Sequence, residues 1–204
     1  MITILECEQR SPEWFEAHMG IATASIFKEL MMEGKKKGEP SLTRGQRVRR
    51  KAAEIIRQKP DPRDYTNANM QRGIDMEDAA RTEYRFLNPD YQLTRVGFIR
   101  NLKAGCSPDA LVNANGLLEI KTTFPDLLLE IKDRKEFPIE HKPQVQGQLW
   151  VAEREWCDLV IYYSDMEPFI TRAHRDEACI REIEAAVDQF NEDVAAWVER
   201  YKRG

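Results

Sequence analysis

Apolar residues recur at different intervals in three successive parts of this 204-residue chain. In the first part the spacing is helical, with Ser, Thr and Pro where helices begin, and it predicts helices at 11–20, 23–32, 41–58 and 66–87. In the middle part the period shortens, and it predicts strands at 91–99, 105–112, 117–122, 157–164 and 169–174, with helices at 125–135 and 138–153. The last part, 176–201, has the pattern of one amphipathic helix.

This order of elements predicts an α/β (α+β) fold in which helices flank a central mixed β-sheet. The length and a hydrophobic share of 42% are enough for one core, so we expect a single domain over residues 1–204. No apolar stretch has the length of a membrane-spanning helix, and the first residues do not resemble a signal peptide. The four cysteines form no CxxC pair, which is typical of reduced thiols in a cytoplasmic protein.

Three charged side chains lie in or beside a predicted hairpin in the stretch SPDALVNANGLLEIKTT, at 107–123. Side chains alternate along a strand, so Glu119 and Lys121 share one face, and the turn at 113–116 brings Asp109 close to Glu119. Carboxylate oxygens bind Mg²⁺, which can activate a water for phosphodiester hydrolysis, and the Lys121 ammonium can position that water or neutralise phosphate charge. The stretch therefore predicts a metal-dependent nuclease centre, with the solubility of an exposed hairpin as the alternative.

Three closely spaced glutamines follow in HKPQVQGQLW, at 141–150. On a helix, Gln144 and Gln148 share one face, whereas Gln146 lies on another. An amide can orient a water or hold a phosphate without adding charge, so Gln144 or Gln146 is a candidate for assisting Lys121. The spacing leaves open which of the two faces the centre.

Two earlier stretches carry further candidates. In RGIDMEDAAR, at 72–81, Glu77 is either a third carboxylate for metal ions or half of a surface ion pair with Arg81. Thr23 and Ser25 begin a predicted helix, where hydroxyls and free backbone N–H groups form a ready anion site. Ordinary helix capping is the alternative for that pair.

A basic segment lies at 34–63, where eleven Lys and Arg residues and three acidic residues give a local charge of +8 on a chain of net charge −4. Such a segment can bind phosphates although the average charge is negative. A solvated helix face is the alternative meaning of a charge run. The residues predicted to line a path for duplex DNA are Arg44, Arg47, Arg49, Arg50 and Lys51.

Four stretches, in this order, resemble the YqaJ-type viral recombinase exonucleases, the family of phage lambda exonuclease within the PD-(D/E)xK nuclease superfamily. They are QRSPEWF and GIATAS at 9–25, GIDMEDAAR at 73–81, SPD and LEIK at 107–121, and QVQGQLW at 144–150. These stretches are spread over residues 9 to about 165, most of the chain, and the resemblance implies a restriction-endonuclease-like core.

The resemblance also implies an activity and its partners. It implies a Mg²⁺-dependent exonuclease that digests one strand of linear double-stranded DNA 5′→3′ and leaves 3′ single-stranded overhangs for phage-type homologous recombination by single-strand annealing. It implies two Mg²⁺ ions, which Mn²⁺ could replace, and as partners DNA ends, a ring-shaped homotrimer and a single-strand annealing recombinase. A phage or prophage enzyme of this kind would act in the host bacterial cytoplasm, with no membrane involved.

The roles that the resemblance implies can be carried over residue by residue. The implied metal ligands are Glu77, Asp109, Glu119 and the carbonyl of Ile120, and the implied catalytic residues are Asp109, Glu119, Lys121, Gln144 and Gln146. Ser25, with Thr23 and His18 beside it, is implied to contact the 5′-phosphate. His18 stands where the family usually has Arg, and an imidazole is only partly charged near neutral pH, so a basic side chain from 44–50 is the alternative source of that charge.

Two other functions compete with the exonuclease hypothesis. A DNA endonuclease of the same superfamily, directed by structure or sequence, would use the same centre. A non-enzymatic nucleic-acid-binding protein would use the basic segment, but it leaves the convergence of Asp109, Glu119 and Lys121 unexplained.

Overall fold

The computed structural model describes residues 1–35, 39–61 and 68–203, and within these ranges the strands form two mixed sheets. The first sheet has the order β1 (Ile2–Leu5), β4 (Phe98–Asn101), β5 (Ala104–Cys106) and β2 (Ala22–Thr23). The second has the order β3 (Leu93–Thr94), β6 (Ala110–Val112), β7 (Gly116–Thr122), β8 (Trp156–Tyr162) and β9 (Phe169–His174). The pairs β2–β5 and β7–β8 are parallel, and the other pairs are antiparallel.

Helices flank both sheets, which confirms the predicted mixed α/β class. They are α1 (Pro12–Ala17), α2 (Phe27–Leu30), α3 (Leu42–Arg57), α4 (Ala68–Leu87), α5 (Pro125–Arg134), α6 (Lys142–Val151) and α7 (Glu177–Arg203). The side chains of Ser11 and Ser41 cap α1 and α3 as N-cap residues do. The start of the helix predicted at 66–87 lies outside the described residues. In the described part of the chain, no helix is both long enough and apolar enough to cross a bilayer.

The strand predicted at 105–112 is in fact two strands that belong to different sheets. β5 ends at Cys106 in the first sheet, and β6 begins at Ala110 in the second. Pro108 lies between them and has no N–H to donate to a ladder, so pairing is interrupted there. The strand predicted at 91–99 is divided in the same way into β3 and β4. The single predicted sheet is therefore two sheets, and Asp109 lies at their junction.

Other boundaries also differ from the predicted ones. The pattern did not predict β1, which pairs with β4 through the register Ile2↔Asn101. The helix predicted at 23–32 is a 3₁₀ turn, Ala24–Ile26, followed by the single turn of α2. A helix this short has a weak dipole, which removes much of the reason to expect an anion at its start.

The two faces of β7 contact different helices. Leu117 packs in the largest cluster, among side chains of α2, α3, α6 and α7. Leu118 and Ile120 pack on the opposite face, against Ala80 and Tyr84 of α4. Glu119 lies on the same face as Leu117, so the strand carries this acid into the interior rather than along an open surface.

Candidate active site

Asp109 is fixed to the neighbouring strand by two hydrogen bonds. Its backbone N–H donates to the carbonyl of Leu118 over 3.0 Å, and its Oδ2 accepts from the N–H of Ile120 over 2.5 Å. Because both partners lie in β7, the carboxylate is positioned beside the strand that carries Glu119 and Lys121. The predicted convergence of Asp109 with β7 is therefore present in the structure.

Glu119 is 3% exposed and is held by three donors. Its Oε1 accepts from Gln144 Nε2 over 2.5 Å and lies 2.7 Å from Lys121 Nζ. Its Oε2 accepts from Gln148 Nε2 over 2.6 Å. These donors compensate a buried negative charge, which would otherwise be costly.

The charges of the centre shift one another's pKa values. Burial raises the pKa of Asp109 well above its ordinary value, and the nearby carboxylates of Glu119 and Glu77 add to the effect. Burial opposes the charge on Lys121, but the adjacent Glu119 carboxylate outweighs it and the pKa of Lys121 is raised. Lys121 is therefore protonated at neutral pH, and Asp109 lies in a strongly negative environment.

Glu77 lies on α4 near Asp109, but two arginines hold its carboxylate. Arg81 Nη2 contacts Glu77 Oε1 at 2.6 Å, and Arg10 Nη2 contacts Oε2 at 3.2 Å. Arg81 Nε also donates to the carbonyl of Asp109 over 3.3 Å, which ties α4 to the centre. Among the described residues, no three Asp, Glu, His or Cys side chains are arranged to hold one metal ion. The carboxylate pair of this centre is therefore Asp109 and Glu119, with Glu77 at its border.

The three glutamines of α6 have two different environments. Gln144 and Gln148, one helical turn apart, both contact Glu119. Gln146 faces away, because its Nε2 donates to the carbonyl of His174 over 2.8 Å and its Oε1 accepts from the N–H of Asp176 over 2.7 Å. The structure thus places Gln144, and not Gln146, at the centre. Gln148 was missed as a site residue, although its spacing of four from Gln144 is a signal that could have found it.

The loop before Asp109 is held by residues of the stretch QRSPEWF. Gln9 Nε2 donates to the carbonyls of Val96 and Pro108, over 3.1 and 3.0 Å. Trp14 Nε1 lies 2.9 Å from Ser107 Oγ and 3.1 Å from the carbonyl oxygen of Gly97. Gln9 and Trp14 are therefore positioning residues that sequence reasoning did not single out, and they fix the junction at which Asp109 lies.

His18 is packed between aromatic rings. Its ring centroid lies 3.6 Å from that of Trp14 and 4.2 Å from that of Phe98, and its Nδ1 is 2.7 Å from the carbonyl oxygen of Trp14. Burial lowers its pKa to about 4, although the hydrogen bond to Trp14 acts in the opposite direction. The imidazole is therefore uncharged at neutral pH, and this placement does not support the charged phosphate contact predicted for His18.

Thr23 and Ser25 lie together at the 3₁₀ turn, with their hydroxyl oxygens 3.1 Å apart. Ser25 is exposed, whereas Thr23 is 8% exposed and makes no capping hydrogen bond through its side chain. The turn packs against α6 and β5, the elements that border the centre. Their predicted role at a 5′-phosphate stays a prediction, with the exposed Ser25 hydroxyl better placed for it than Thr23.

Most of the predicted DNA-binding residues of α3 already have acidic partners. Arg44 pairs with Asp193 at 2.6 Å, Arg47 with Glu29 at 2.6 Å, Lys51 with Glu54 at 2.9 Å and, less closely, Arg50 with Asp61 at 3.7 Å. Arg49 is exposed and makes no ion pair within the described ranges. These pairs neutralise part of the local charge, and residues 36–38, 62 and 63 of the segment lie outside the described residues.

The oxygen atoms of the centre are suitable ligands for Mg²⁺. Carboxylate oxygens and a backbone carbonyl are the hard ligands that Mg²⁺ prefers, and a carboxylate retains lone pairs beyond the hydrogen bonds that Glu119 accepts. Burial raises the pKa of Asp109 and the carboxylates of Glu119 and Glu77 raise it further; a divalent cation would relieve that repulsion. Gln148 Oε1 is buried beside Glu119 and has no hydrogen-bond partner in the described structure, so an unused acceptor also lies here.

The mixed two-sheet fold, with Asp109 directly before β6 and with Glu119 and Lys121 on the adjacent β7, defines the PD-(D/E)xK class of nucleases. The family model of the YqaJ-like viral recombinase domain matches residues 13–155. This chain belongs to the YqaJ-like viral recombinase family.

Solved exonuclease structures are similar over nearly the whole chain. LHK-Exo, an alkaline exonuclease from Laribacter hongkongensis, is 31% identical, with a TM-score of 0.82 over 95% of this chain and 97% of that chain. Its complex with dAMP has the same identity and coverage and a TM-score of 0.83. A phage-related exonuclease from Haemophilus somnus shares the fold at 14% identity, with a TM-score of 0.67 over 92% of this chain and 99% of that chain. No curated protein matches the sequence.

Proposed function

We propose that this protein is a Mg²⁺-dependent 5′→3′ exonuclease that digests one strand of linear double-stranded DNA and leaves a 3′ single-stranded overhang. Family membership and the likeness to LHK-Exo support a recombination-related exonuclease, to which the proposal adds metal, polarity and product. The observation that carries it is the convergence of Asp109, Glu119 and Lys121 at the junction of the two sheets. A protein that only bound DNA would be hindered by two carboxylates facing phosphate.

The proposed metal ligands are the carboxylates of Asp109 and Glu119 and the carbonyl of Ile120, with Glu77 supporting a second ion. Bound Mg²⁺, or Mn²⁺ in its place, supplies an activated water and stabilises charge on the phosphate. Two carboxylates favour binding of a divalent cation because they otherwise repel each other. The ion pairs of Glu77 with Arg10 and Arg81 make it the weaker candidate of the set.

The protein's own residues prepare this centre for phosphodiester hydrolysis. Gln144 and Gln148 hold the two oxygens of Glu119, so its carboxylate needs little reorganisation. Lys121 keeps its proton beside Glu119, and its charge can stabilise the negative charge that develops on the scissile phosphate. The Ile120 N–H fixes Asp109 from the other side of the centre.

We propose duplex DNA ends as the substrate, with Ser25 at the 5′-phosphate and Arg49 along the duplex path. The proposal also includes assembly into a ring-shaped homotrimer, a single-strand annealing recombinase as partner, and action in a bacterial cytoplasm. Its support is membership of a viral recombinase family, together with the exposure of Ser25 and Arg49.

Digestion of linear and covalently closed circular duplex DNA with Mg²⁺ tests this function. We expect the linear DNA to lose nucleotides from its 5′ ends, the circle to stay intact, and EDTA to stop the reaction. Asp109→Asn and Lys121→Ala should each lower the rate by at least about a hundredfold, because each removes a group that acts on the reacting phosphate.

Three outcomes would contradict the proposal. Digestion in EDTA would exclude a metal-dependent reaction, and a fully active Lys121→Ala variant would remove the lysine from the centre. Cleavage of the closed circle would identify an endonuclease, which uses the same residues without requiring an end. Unfolding temperatures of the variants should match the wild type, since lost activity has to be separated from lost structure.

A further inference from the structure

We propose that Arg72 is a clamp for a DNA-backbone phosphate at the edge of the catalytic centre, held in position by the ring of Phe124. This inference rests on the proposed function and deepens it. It assigns a substrate contact to Arg72 and a positioning role to Phe124, two residues outside the centre described above.

The start of α4 brings Arg72 next to the catalytic strand. A Cβ atom added at Gly73 would lie only 3.3 Å from Thr122 Oγ1, so the helix and the end of β7 are in close contact there. Thr122 directly follows Lys121 in the chain. One helical turn after Gly73, Glu77 lies beside Asp109. Arg72 therefore lies at the edge of the centre, at the end where β7 leaves the sheet.

Phe124 supports the guanidinium group of Arg72. The Cζ atom of Arg72 lies 4.1 Å from the centroid of the Phe124 ring, which is within the range of a cation–π contact. Phe124 is 47% exposed although it is a large apolar residue close to the centre. One part of the ring thus orients the guanidinium while the rest stays accessible.

Within the described ranges Arg72 has no anionic partner, whereas Arg10 and Arg81 close to the centre are both paired. Its Nε is buried and makes no hydrogen bond, and no carboxylate within the described ranges forms an ion pair with it. Arg10 and Arg81, by contrast, both contact Glu77. A buried donor without an acceptor is unfavourable, so this guanidinium lacks an anion that a ligand could supply.

A phosphate of the DNA backbone is the anion that suits this position. The planar guanidinium offers parallel N–H groups that match two phosphate oxygens, and its orientation is already restricted by Phe124. The centre itself presents Asp109 and Glu119, which repel the backbone on either side of the scissile bond. A cation at the edge of the centre counteracts that repulsion and holds the strand in register.

Binding of linear duplex DNA over a series of salt concentrations tests the clamp, with every variant made in an inactive Asp109→Asn protein. We expect Arg72→Ala to weaken binding about tenfold, as for loss of one charge-assisted hydrogen bond. The negative slope of the logarithm of the binding constant against the logarithm of the salt concentration should become shallower by about one, because one phosphate contact is lost. Arg72→Lys should keep the slope but regain only part of the affinity, since an ammonium cannot form the paired contact.

Arg134→Ala is the matched control, because it removes the same charge at the far end of α5, where Arg134 pairs with Glu130. It should change neither the affinity nor the slope. Phe124→Leu should weaken binding without changing the slope, since the charge remains but its orientation is lost.

Unchanged affinity and slope in Arg72→Ala would overturn the clamp, and so would an equal loss in Arg134→Ala. If the wild type digests linear duplex in the presence of Mg²⁺ and Arg72→Ala binds normally, only this inference fails. If the wild type neither binds nor digests duplex DNA, the proposed function fails and the clamp fails with it. Unfolding temperatures of the variants have to agree with the parent protein for either result to count.

Discussion

At the scale of single residues, the orientation of Glu119 depends on amides rather than on charge alone. Gln144 and Gln148 donate to its two oxygens, and Lys121 contacts one of them. A carboxylate held in this way is positioned before any metal or substrate arrives. The neighbouring Gln146 has a purely structural environment, which offers a comparison within one helix.

We predict that Gln148→Ala and Gln146→Ala fail in different ways. Gln148→Ala should lower the nuclease rate by about tenfold or more, because one oxygen of Glu119 loses its donor. Gln146→Ala should leave the rate close to that of the wild type. It should instead lower the free energy of unfolding by about 1–3 kcal/mol, because the His174 carbonyl and the Asp176 N–H lose their partner.

Rates at saturating DNA and urea unfolding of both variants measure these effects. If Gln148→Ala and Gln146→Ala lose the same activity and the same stability, Gln148 has no specific role in positioning Glu119. Gln144→Ala serves as a second variant, since it removes the donor of the other Glu119 oxygen without touching the Gln146 contacts.

His18 should affect stability through pH. The folded protein holds its pKa at about 4, mainly through burial, whereas in the unfolded chain the ordinary pKa is about 6.5. The unfolded state therefore takes up the proton first as the pH falls, so the contribution of His18 is present above about pH 6.5 and is lost towards about pH 4. Its size is about 3 kcal/mol, which follows from the difference between the two pKa values.

Urea unfolding near neutral pH and near pH 4, for the wild type and His18→Gln, measures this contribution. Between the two pH values the free energy of unfolding should fall by about 3 kcal/mol more in the wild type than in the variant. The other titrating groups are present in both proteins, so their contributions cancel in this comparison. A neutral His18 also predicts that the rate ratio for 5′-phosphorylated and 5′-hydroxyl ends does not depend on its titration between about pH 6 and 8. If this rate ratio rises as the pH falls in the wild type but not in His18→Gln, His18 does contact the 5′-phosphate.

At the scale of elements, the broken strand at 107–109 is what creates the site. A continuous strand from 105 to 112 would have kept Asp109 in one ladder, whereas the break moves the chain from the first sheet to the second. Gln9 and Trp14 bind the loop at that point, so the N-terminal stretch positions a residue far away in the sequence.

We predict that Trp14→Phe slows the reaction more than it destabilises the fold. Phe keeps an aromatic ring beside His18 but removes the Nε1 donor shared by Ser107 and Gly97. The free energy of unfolding should fall by about 1 kcal/mol, as for one hydrogen bond, while the rate falls about tenfold because Asp109 is less well positioned. A rate unchanged at that loss of stability would show that the loop does not need this contact.

At the scale of the whole molecule, the charge of the basic segment is less available than its sequence indicates. Ion pairs with Glu29 and Asp193 connect α3 to α2 and α7, so Arg47 and Arg44 contribute to packing between helices. Arg49 is exposed on the same helix and makes no such pair in the described part of the chain. The two kinds of arginine should respond differently to mutation.

We predict that Arg49→Ala reduces the number of counterions released on DNA binding by about one, so that affinity depends less steeply on salt concentration. The free energy of unfolding should change little. Arg47→Ala should leave that slope unchanged and lower the free energy of unfolding by about 1 kcal/mol or less, because its ion pair with Glu29 is partly exposed. Salt titrations and urea unfolding of the two variants separate the effects. If the wild type and Arg49→Ala show identical salt slopes, the alternative interpretation of the basic segment as a solvated helix face is correct.

Much of the fold could be predicted from periodicity because most elements follow their local pattern. The strands β7, β8 and β9 and the helices α3, α5 and α7 lie within a few residues of their predicted bounds. The misses include β1, whose pairing with β4 depends on residues almost a hundred positions away, and the division of two predicted strands between sheets. The helix predicted at 23–32 was also wrong, since that stretch is a 3₁₀ turn followed by one helical turn. Pairing across such distances leaves no local periodic signal.

The sequence by itself determined the mixed fold, the family, and the approach of Asp109 to the strand of Glu119 and Lys121, since a tight turn and two-residue alternation require no distant contact. Only the tertiary structure decided which glutamines contact Glu119, that His18 is uncharged, and which arginines of α3 are already paired. Each of these depends on burial or on a partner from another element, and neither is encoded in local spacing. The Arg72 guanidinium, which has no acidic partner among the described residues, belongs to the same group, because pairing between elements cannot be read from local spacing.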